Sequence, residues 1–181
     1  MQTIPPLATL GHRIMILGLT NAGKSTLALA LSDKLGVPAI HLDQLKHLPN
    51  TNWQERSDAD FQALHDAAIT GDGWVMDGNY TRLMPQRIER ATGIIVVTDT
   101  LLTRYRRYFI RTLIQRQRAG GLEGGEDRVN WKMLHWLWHT RNSVAKYRDM
   151  ATASGKPTVF ASSTRELNAL YDTWSLKHPF A

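Results

Sequence analysis

Apolar positions along the chain fall into two patterns that alternate. Short unbroken runs of the strand type occur at residues 13–17, 39–42, 74–77, 93–98 and 158–161. Between them lie longer stretches with helical spacing, at residues 24–35, 57–70, 83–90, 101–118, 129–153 and 164–175. Turn formers separate the two kinds: Gly36-Val37-Pro38, Gly71-Asp72-Gly73, and Gly155-Lys156-Pro157. Ser57 followed by Asp60 forms a capping pattern for the second helix. Strands without polar alternation are strands buried on both faces. Strand–helix alternation therefore predicts a single α/β domain, a parallel sheet covered by helices on both sides.

Composition changes this picture little. A chain of 181 residues with 43% hydrophobic and 21% charged residues suits one globular unit with a proper core. The most apolar helix, around Trp131–Trp138, is interrupted by Lys132 and His135, so no membrane partner is expected. The first ten residues lack the pattern of a signal peptide. The absence of cysteine excludes disulfides and thiol catalysis, and fits a cytoplasmic protein. A net charge of +6 points to polyanionic partners, which nucleotides satisfy as readily as nucleic acids.

The chemistry starts where the first strand meets the first helix. Gly18-Leu19-Thr20-Asn21-Ala22-Gly23-Lys24-Ser25-Thr26 has the spacing of a phosphate-binding loop, in the setting such a loop requires. The two glycines permit backbone geometry that lets successive N–H groups converge on phosphate oxygens. The helix N-terminus adds further donors and the positive end of its dipole. Gly18, Asn21, Ala22, Gly23, Lys24, Ser25 and Thr26 are thus expected to hold a nucleoside triphosphate, ATP with Mg²⁺. Lys24 would meet the outer phosphates and Ser25 the metal.

Asp77 ends the third predicted strand, at the edge where open α/β sheets bind ligands. It can accept from metal-bound water, or simply form a turn with Gly78. A glycine at 78, where many hydrolytic ATPases carry a glutamate, leans toward transfer to an organic acceptor, and no Asn-Lys-x-Asp guanine signature occurs. Asp43, just after the second strand, either receives a hydrogen bond from the attacking hydroxyl or caps the next turn. Arg104, Arg107, Arg111 and Arg118 recur at helical spacing with Arg106 and Arg116 nearby, the pattern of a solvated basic face or of a phosphate-binding one. Trp131, Leu134, Trp138, Arg141 and Ala145 share a three–four spacing. That spacing places Arg141 on an apolar stripe, where it needs a phosphate or a structural carboxylate as partner. His135 and His139 lack a third ligand for zinc, and the six tryptophans, Trp53, Trp74 and Trp174 among them, read as core and edge packing.

The segment Gly73-Trp74-Val75-Met76-Asp77-Gly78-Asn79-Tyr80-Thr81-Arg82 resembles the Gly-aromatic-hydrophobic-Asp-Gly-x-x-Arg segment of adenylate-kinase-like enzymes. With His41-Leu42-Asp43 and the Trp-rich helix, the chain looks closer still to the small P-loop proteins called topology modulation proteins (FlaR-related). The likeness runs from about residue 13 to 174. It implies a five-stranded sheet of order 2-3-1-4-5 and a small helical lid at about residues 104–145. It also implies phosphoryl transfer from ATP to a small acceptor, such as a nucleotide or nucleoside. Arg82 would hold the acceptor's anionic group, with Asp43 and Asp77 facing the substrate. Lid arginines, Arg116 and Arg141 among them, would neutralise the migrating phosphoryl group. Adenylate kinases have Thr-Gly-Asp where this chain has His41-Leu42-Asp43, and Pro where it has Tyr80-Thr81, which argues against AMP as acceptor. The subgroup's label suggests an alternative, a nucleic-acid-associated regulator using ATP as a switch, although no known nucleic-acid-binding motif is present.

Overall fold

The structure, a computed structural model, describes residues 3–114, 120–121, 131–140 and 143–179. Five strands form one parallel sheet: β1 (Arg13–Gly18), β2 (Ala39–His41), β3 (Trp74–Asp77), β4 (Gly93–Val97) and β5 (Thr158–Ala161), in the order β2-β3-β1-β4-β5. Eight α-helices are described: α1 (Lys24–Leu35), α2 (Leu42–Lys46), α3 (Asp58–Ala68), α4 (Met84–Arg90), α5 (Leu101–Ile114), α6 (Trp131–His139), α7 (Val144–Ala153) and α8 (Thr164–Trp174). Short 3-10 turns occupy Leu7–Leu10 and Thr81–Leu83.

Period-two alternation within each strand splits the core in two. Ile14 and Ile16 of β1 face one side, against Leu27, Ala28 and Leu31 of α1 and Leu167, Leu170 and Trp174 of α8. Met15 and Leu17 face the other, with Trp74, Met76, Phe61, Met84 and Ala151. The central strands β1, β3 and β4 are buried on both faces, which is why their sequences read as unbroken apolar runs, while the edge strands β2 and β5 are partly exposed. Helix ends follow their local signals. Ser57 Oγ accepts from Asp60 N at 3.1 Å, closing the start of α3. Gly36 takes a left-handed conformation (φ 67°) and returns its N–H to Ser32 O, which ends α1.

Two expectations are corrected. The stretch 129–153 is not one helix: α6 ends at His139 and α7 begins at Val144, with Ser143 N donating to Thr140 O in a turn between them. Thr140 and Ser143 are residue types that favour local hydrogen bonding over helix continuation. The stripe through Trp131 and Trp138 is also not a buried one. Both indoles are exposed, at 84% and 52%, while Leu137 is fully buried. The three–four spacing through Trp131 and Trp138 therefore marks an exposed face of α6, and Arg141 lies outside the described residues.

Parallel register decides what meets at the carboxyl edge of the sheet. Asp77 on β3 pairs with Ile16 of β1 on one side and with His41 of β2 on the other. Gly18 of β1 pairs with Val97 of β4. The ends of β1, β2 and β3 are thereby brought into one row beneath the N-terminus of α1.

Candidate active site

The turn from β1 into α1 has the backbone that its glycines predict. Gly18 sits at φ 128°, and a Cβ there would lie 1.8 Å from Val97 O, so only glycine fits between β1 and β4. Gly23 at φ 104° caps α1, and Asn21 is also left-handed at φ 61°. Lys24 Nζ donates to Leu19 O at 2.9 Å, folding the cation across the loop it is expected to serve. Two arginines of α5 grip the loop from behind. Arg104 Nε donates to Thr20 O at 2.8 Å and Arg107 Nη1 to Ala22 O at 2.8 Å. Arg107 is itself anchored by Asp99 (3.3 Å) and by Thr164 Oγ1 at the start of α8 (3.0 Å). Arg104 is fully buried, and burial lowers its pKa. The Thr20 and Ala22 carbonyls are thus held by guanidinium groups, and the Gly18, Leu19 and Ala22 N–H groups by Asn79 Oδ1, Val97 O and Leu19 O, which fixes the loop backbone.

Ser25, the first residue after the loop lysine, donates its hydroxyl to Asp77 Oδ2 at 2.6 Å. The other oxygen of Asp77 is hydrogen-bonded to His41 Nδ1. Asp77 and His41 are both buried, so this carboxylate is oriented from two sides in a low-dielectric place. A hydroxyl and a carboxylate oxygen at the base of a phosphate loop suit a hard cation such as Mg²⁺, which takes few protein ligands and completes its shell with water and substrate phosphate. Among the described residues no group of three or more His, Cys, Asp or Glu gathers to hold a metal without such help. His135 and His139 only stack on each other, with ring centres 6.3 Å apart.

The turn after β3 joins the loop to the acceptor side. Gly78 is left-handed (φ 125°), and the Asn79 amide pairs reciprocally with the Gly18 backbone, at 3.1 Å to N and 2.9 Å to O. Tyr80 has the strained value φ 27°. What over-determines this strain is Arg87 of α4, completely buried, which donates to Gly78 O (2.9 Å), Asn79 O (2.6 Å) and Tyr80 O (3.0 Å). Burial lowers the Arg87 pKa to about 10, so it stays cationic at neutral pH. Tyr80 OH in turn donates to Asp43 Oδ1 at 2.7 Å. Burial first, and then the Asp43 carboxylate, push the phenol well above its ordinary value, keeping it a donor.

Beside Tyr80 opens a cleft of about 210 Å³ lined by Lys46, Asp58, Phe61, Tyr80, Thr81 and Arg82. Arg82 is exposed and lies against Asp58, with Nη1 3.7 Å from Oδ2 and Nη2 3.3 Å from the main-chain oxygen. On the far side of the row, residues 120–121 come down over the metal-type site. A Cβ on Gly120 would stand 3.0 Å from His41 Nδ1 and 3.1 Å from Ser25 Oγ, and Gly121 O accepts from Gln44 Nε2 at 2.8 Å.

The structure thus brings Lys24, Ser25 and Asp77 together, sets Asp43 against Tyr80, and places Arg82 in the neighbouring cleft. Arg116, Arg118 and Arg141, the side chain of Arg111 and most of the glycine-rich segment, including Gly124 and Gly125, lie outside the described residues. Sequence reading missed His41, Asn79 and Arg87. The Asp77-Gly78 pair signalled a tight turn, but nothing local marked Asn79 as its brace. Arg87 shares its last helical turn with Arg90 and reads as one more surface charge. Arg104 and Arg107 were legible as a helical arginine series, though not as clamps turned into the protein.

No protein-family model and no curated protein matches the chain. Solved structures do. A shikimate kinase from Bacteroides thetaiotaomicron aligns over 91% of this chain and 99% of its own, at 19% identity and a TM-score of 0.53. A gluconokinase from Sinorhizobium meliloti aligns over 92% and 97%, at 15% identity and a TM-score of 0.52. A shikimate kinase from Acinetobacter baumannii in complex with shikimate aligns over 94% and 98%, at 14% identity and a TM-score of 0.52. The fold is that of the small P-loop kinases. The likeness spans nearly the full length of each neighbour. No helix among the described residues is long and apolar enough to cross a membrane.

Proposed function

We propose that the protein transfers the γ-phosphoryl group of ATP, bound with Mg²⁺, to a hydroxyl of a small acceptor. The observation that carries this reading is the Ser25–Asp77 contact at the foot of the Gly18–Ser25 loop, whose Thr20 and Ala22 carbonyls are held by Arg104 and Arg107. The Gly18, Leu19 and Ala22 N–H groups are bonded to Asn79 Oδ1, Val97 O and Leu19 O, so the amides from Gly23 to Thr26, with the Lys24 ammonium, would bind the phosphates. Ser25 and Asp77 would hold the metal, directly or through water, with His41 fixing the carboxylate. When bound, Mg²⁺ supplies neutralisation of the β- and γ-phosphate oxygens. Asp43, steadied by Tyr80, would accept the hydrogen bond of the attacking hydroxyl, and Arg82 would hold the acceptor. As the acceptor oxygen bonds to phosphorus, the bond to ADP breaks and the hydroxyl proton is released. Positioning and charge neutralisation carry most of such chemistry. Residues 104–145 would act as the lid, bringing Arg116 and Arg141 to the migrating group; the seating of Gly120 over His41 and Ser25 supports this. Membership of the topology modulation subgroup, and a cytoplasmic location, rest on the sequence resemblance and composition.

The test divides the site in two. Lys24→Ala should abolish turnover or weaken ATP·Mg²⁺ binding in calorimetry while the thermal melt stays unchanged. Normal affinity together with normal turnover refutes the phosphate loop. In a transfer screen over nucleotides, nucleosides and hydroxylated metabolites, Asp43→Asn and Arg82→Ala should impair transfer while ATP affinity changes little. Loss of ATP binding with normal acceptor use in either variant refutes the assignment of sides.

A further inference from the structure

The cleft beside Tyr80 holds a carboxylate of the protein itself between two cations. Lys46, on α2, is only 9% exposed, with Nζ 5.6 Å from the centre of the Phe61 ring. A cation that gives up most of its water needs anions at its head. Lys46 has two, Asp58 Oδ1 at 2.9 Å and Glu55 Oε2 at 3.2 Å, besides Arg56 O at 3.3 Å. Asp58 also faces Arg82, which comes from a different segment, the turn after β3.

The arrangement is asymmetric. The lysine is held down by packing, whereas the Asp58 and Glu55 side chains are 67% and 65% exposed. An exposed carboxylate in such a pair gains little over water, so it can be exchanged for another oxyanion at small cost. Lys46 cannot turn to solvent as easily. The ends of the excursion through residues 47–57 are already closed by backbone bonds, Arg56 N to Lys46 O at 2.7 Å and Leu48 N to Gln54 O at 2.8 Å, so Asp58 is not required to tie them. Phe61 and Tyr80, with ring centres 5.0 Å apart, add an apolar wall. The hydrogen bond to Asp58 raises the Lys46 pKa and that to Lys46 lowers the Asp58 pKa, so both stay ionised at neutral pH.

We propose that this cleft is the anion-reading half of the acceptor site. Lys46, with Arg82, recognises the oxyanion of a small acceptor that carries an apolar ring or chain, and Asp58 is an internal competitor displaced when that oxyanion arrives. The volume of about 210 Å³ is below that of sites for drug-sized ligands, which suits a small molecule. A neutral acceptor would displace nothing and would leave Lys46 with its internal partners. A carboxylate and a phosphate share the required chemistry. The word acceptor rests on the phosphoryl-transfer reading; the anion site does not.

The test is equilibrium binding to the full chain of benzoate, phenyl phosphate and, as neutral counterpart, benzyl alcohol. The chain is first saturated with a non-hydrolysable ATP analogue and Mg²⁺, so that the phosphate loop is closed to the probes. Failure of the analogue to bind counts against the phosphoryl-transfer reading alone, and the probes are then applied to Lys24→Ala. Asp58→Asn should tighten benzoate or phenyl phosphate about three- to fivefold, the factor an exposed ion-pair competitor is worth, and leave benzyl alcohol unchanged. The anion that gains more assigns the acceptor as carboxylated or phosphorylated. Adding Lys46→Met should erase the gain, and Lys46→Arg should keep part of it. Asp58→Ser, which retains a good residue for a helix start, repeats the test should the amide variant melt early. No gain for either anion, an equal gain for benzyl alcohol, or a gain that survives Lys46→Met would each overturn the proposal.

Discussion

Arg87→Met probes the brace beneath the site without touching any group expected to meet substrate. The guanidinium, on a fully buried side chain, makes three charge-assisted bonds to the carbonyls of Gly78, Asn79 and Tyr80 at 2.6 to 3.0 Å. Each such bond contributes about 1.5–3 kcal/mol, so the gross loss is roughly 5–9 kcal/mol. Part is recovered, because the variant no longer buries a cation and methionine fills much of the same space. A net destabilisation of about 3–5 kcal/mol remains, in line with breaking other buried charged networks. For a chain of 181 residues this corresponds to a fall in Tm of roughly 6–20 °C. Urea unfolding by far-UV circular dichroism should show the midpoint falling with an unchanged slope. Arg87→Lys keeps the charge but not the fork, and should lose an intermediate amount. Because the turn carries Asn79, which pairs with Gly18, ATP·Mg²⁺ affinity should fall even where the variant is folded. A loss below about 1 kcal/mol, the size of a single ordinary hydrogen bond, would show that the three carbonyls do not depend on Arg87.

Two further outcomes follow from the same geometry. Gly18→Ala would drive a methyl group to 1.8 Å from Val97 O at φ 128°, so it should cost roughly 3 kcal/mol or more and remove ATP binding; a melt unchanged from the parent would contradict the strand spacing. His65 is fully buried, and its pKa is lowered from 6.5, chiefly by burial, with the neighbouring Asp66 opposing the shift. The unfolded chain therefore takes up that proton more readily than the folded one. The stability contributed by a neutral His65 is complete above pH 6.5 and is lost as the pH falls below it. Urea titrations between about pH 7.5 and 5 should show this loss in the parent and a weaker one in His65→Phe; equal slopes would refute the assignment.

Much of the protein is legible along the chain because the signals are local. The phosphate loop occupies one contiguous stretch, Gly18 to Ser25, and its apolar strand and following helix adjoin it, so spacing and turn chemistry suffice. The same holds for the buried strands, whose unbroken apolar runs report burial on two faces, and for the Ser57 cap. Asp77 was legible as the end of a strand on the correct edge. Its partners were not: Ser25 and His41 stand 52 and 36 residues away, His41 brought beside it by the β2–β3 register and Ser25 by the seating of α1 over the sheet edge. Charges were read least well, because a helical period says that arginines share a face but not which way the face turns. Arg104 and Arg107 point into the loop and Arg87 into the turn, where unsatisfied carbonyls make a buried guanidinium worth its desolvation. The Trp131–Trp138 stripe errs in the opposite direction, since apolar spacing describes a helix surface while packing decides which surface is covered. Elements, their order along the chain and the phosphate loop are properties of neighbouring residues. The metal-type pair, the brace at Arg87 and the Lys46–Asp58–Arg82 cleft exist only where distant segments meet, and only the folded sheet decides that meeting.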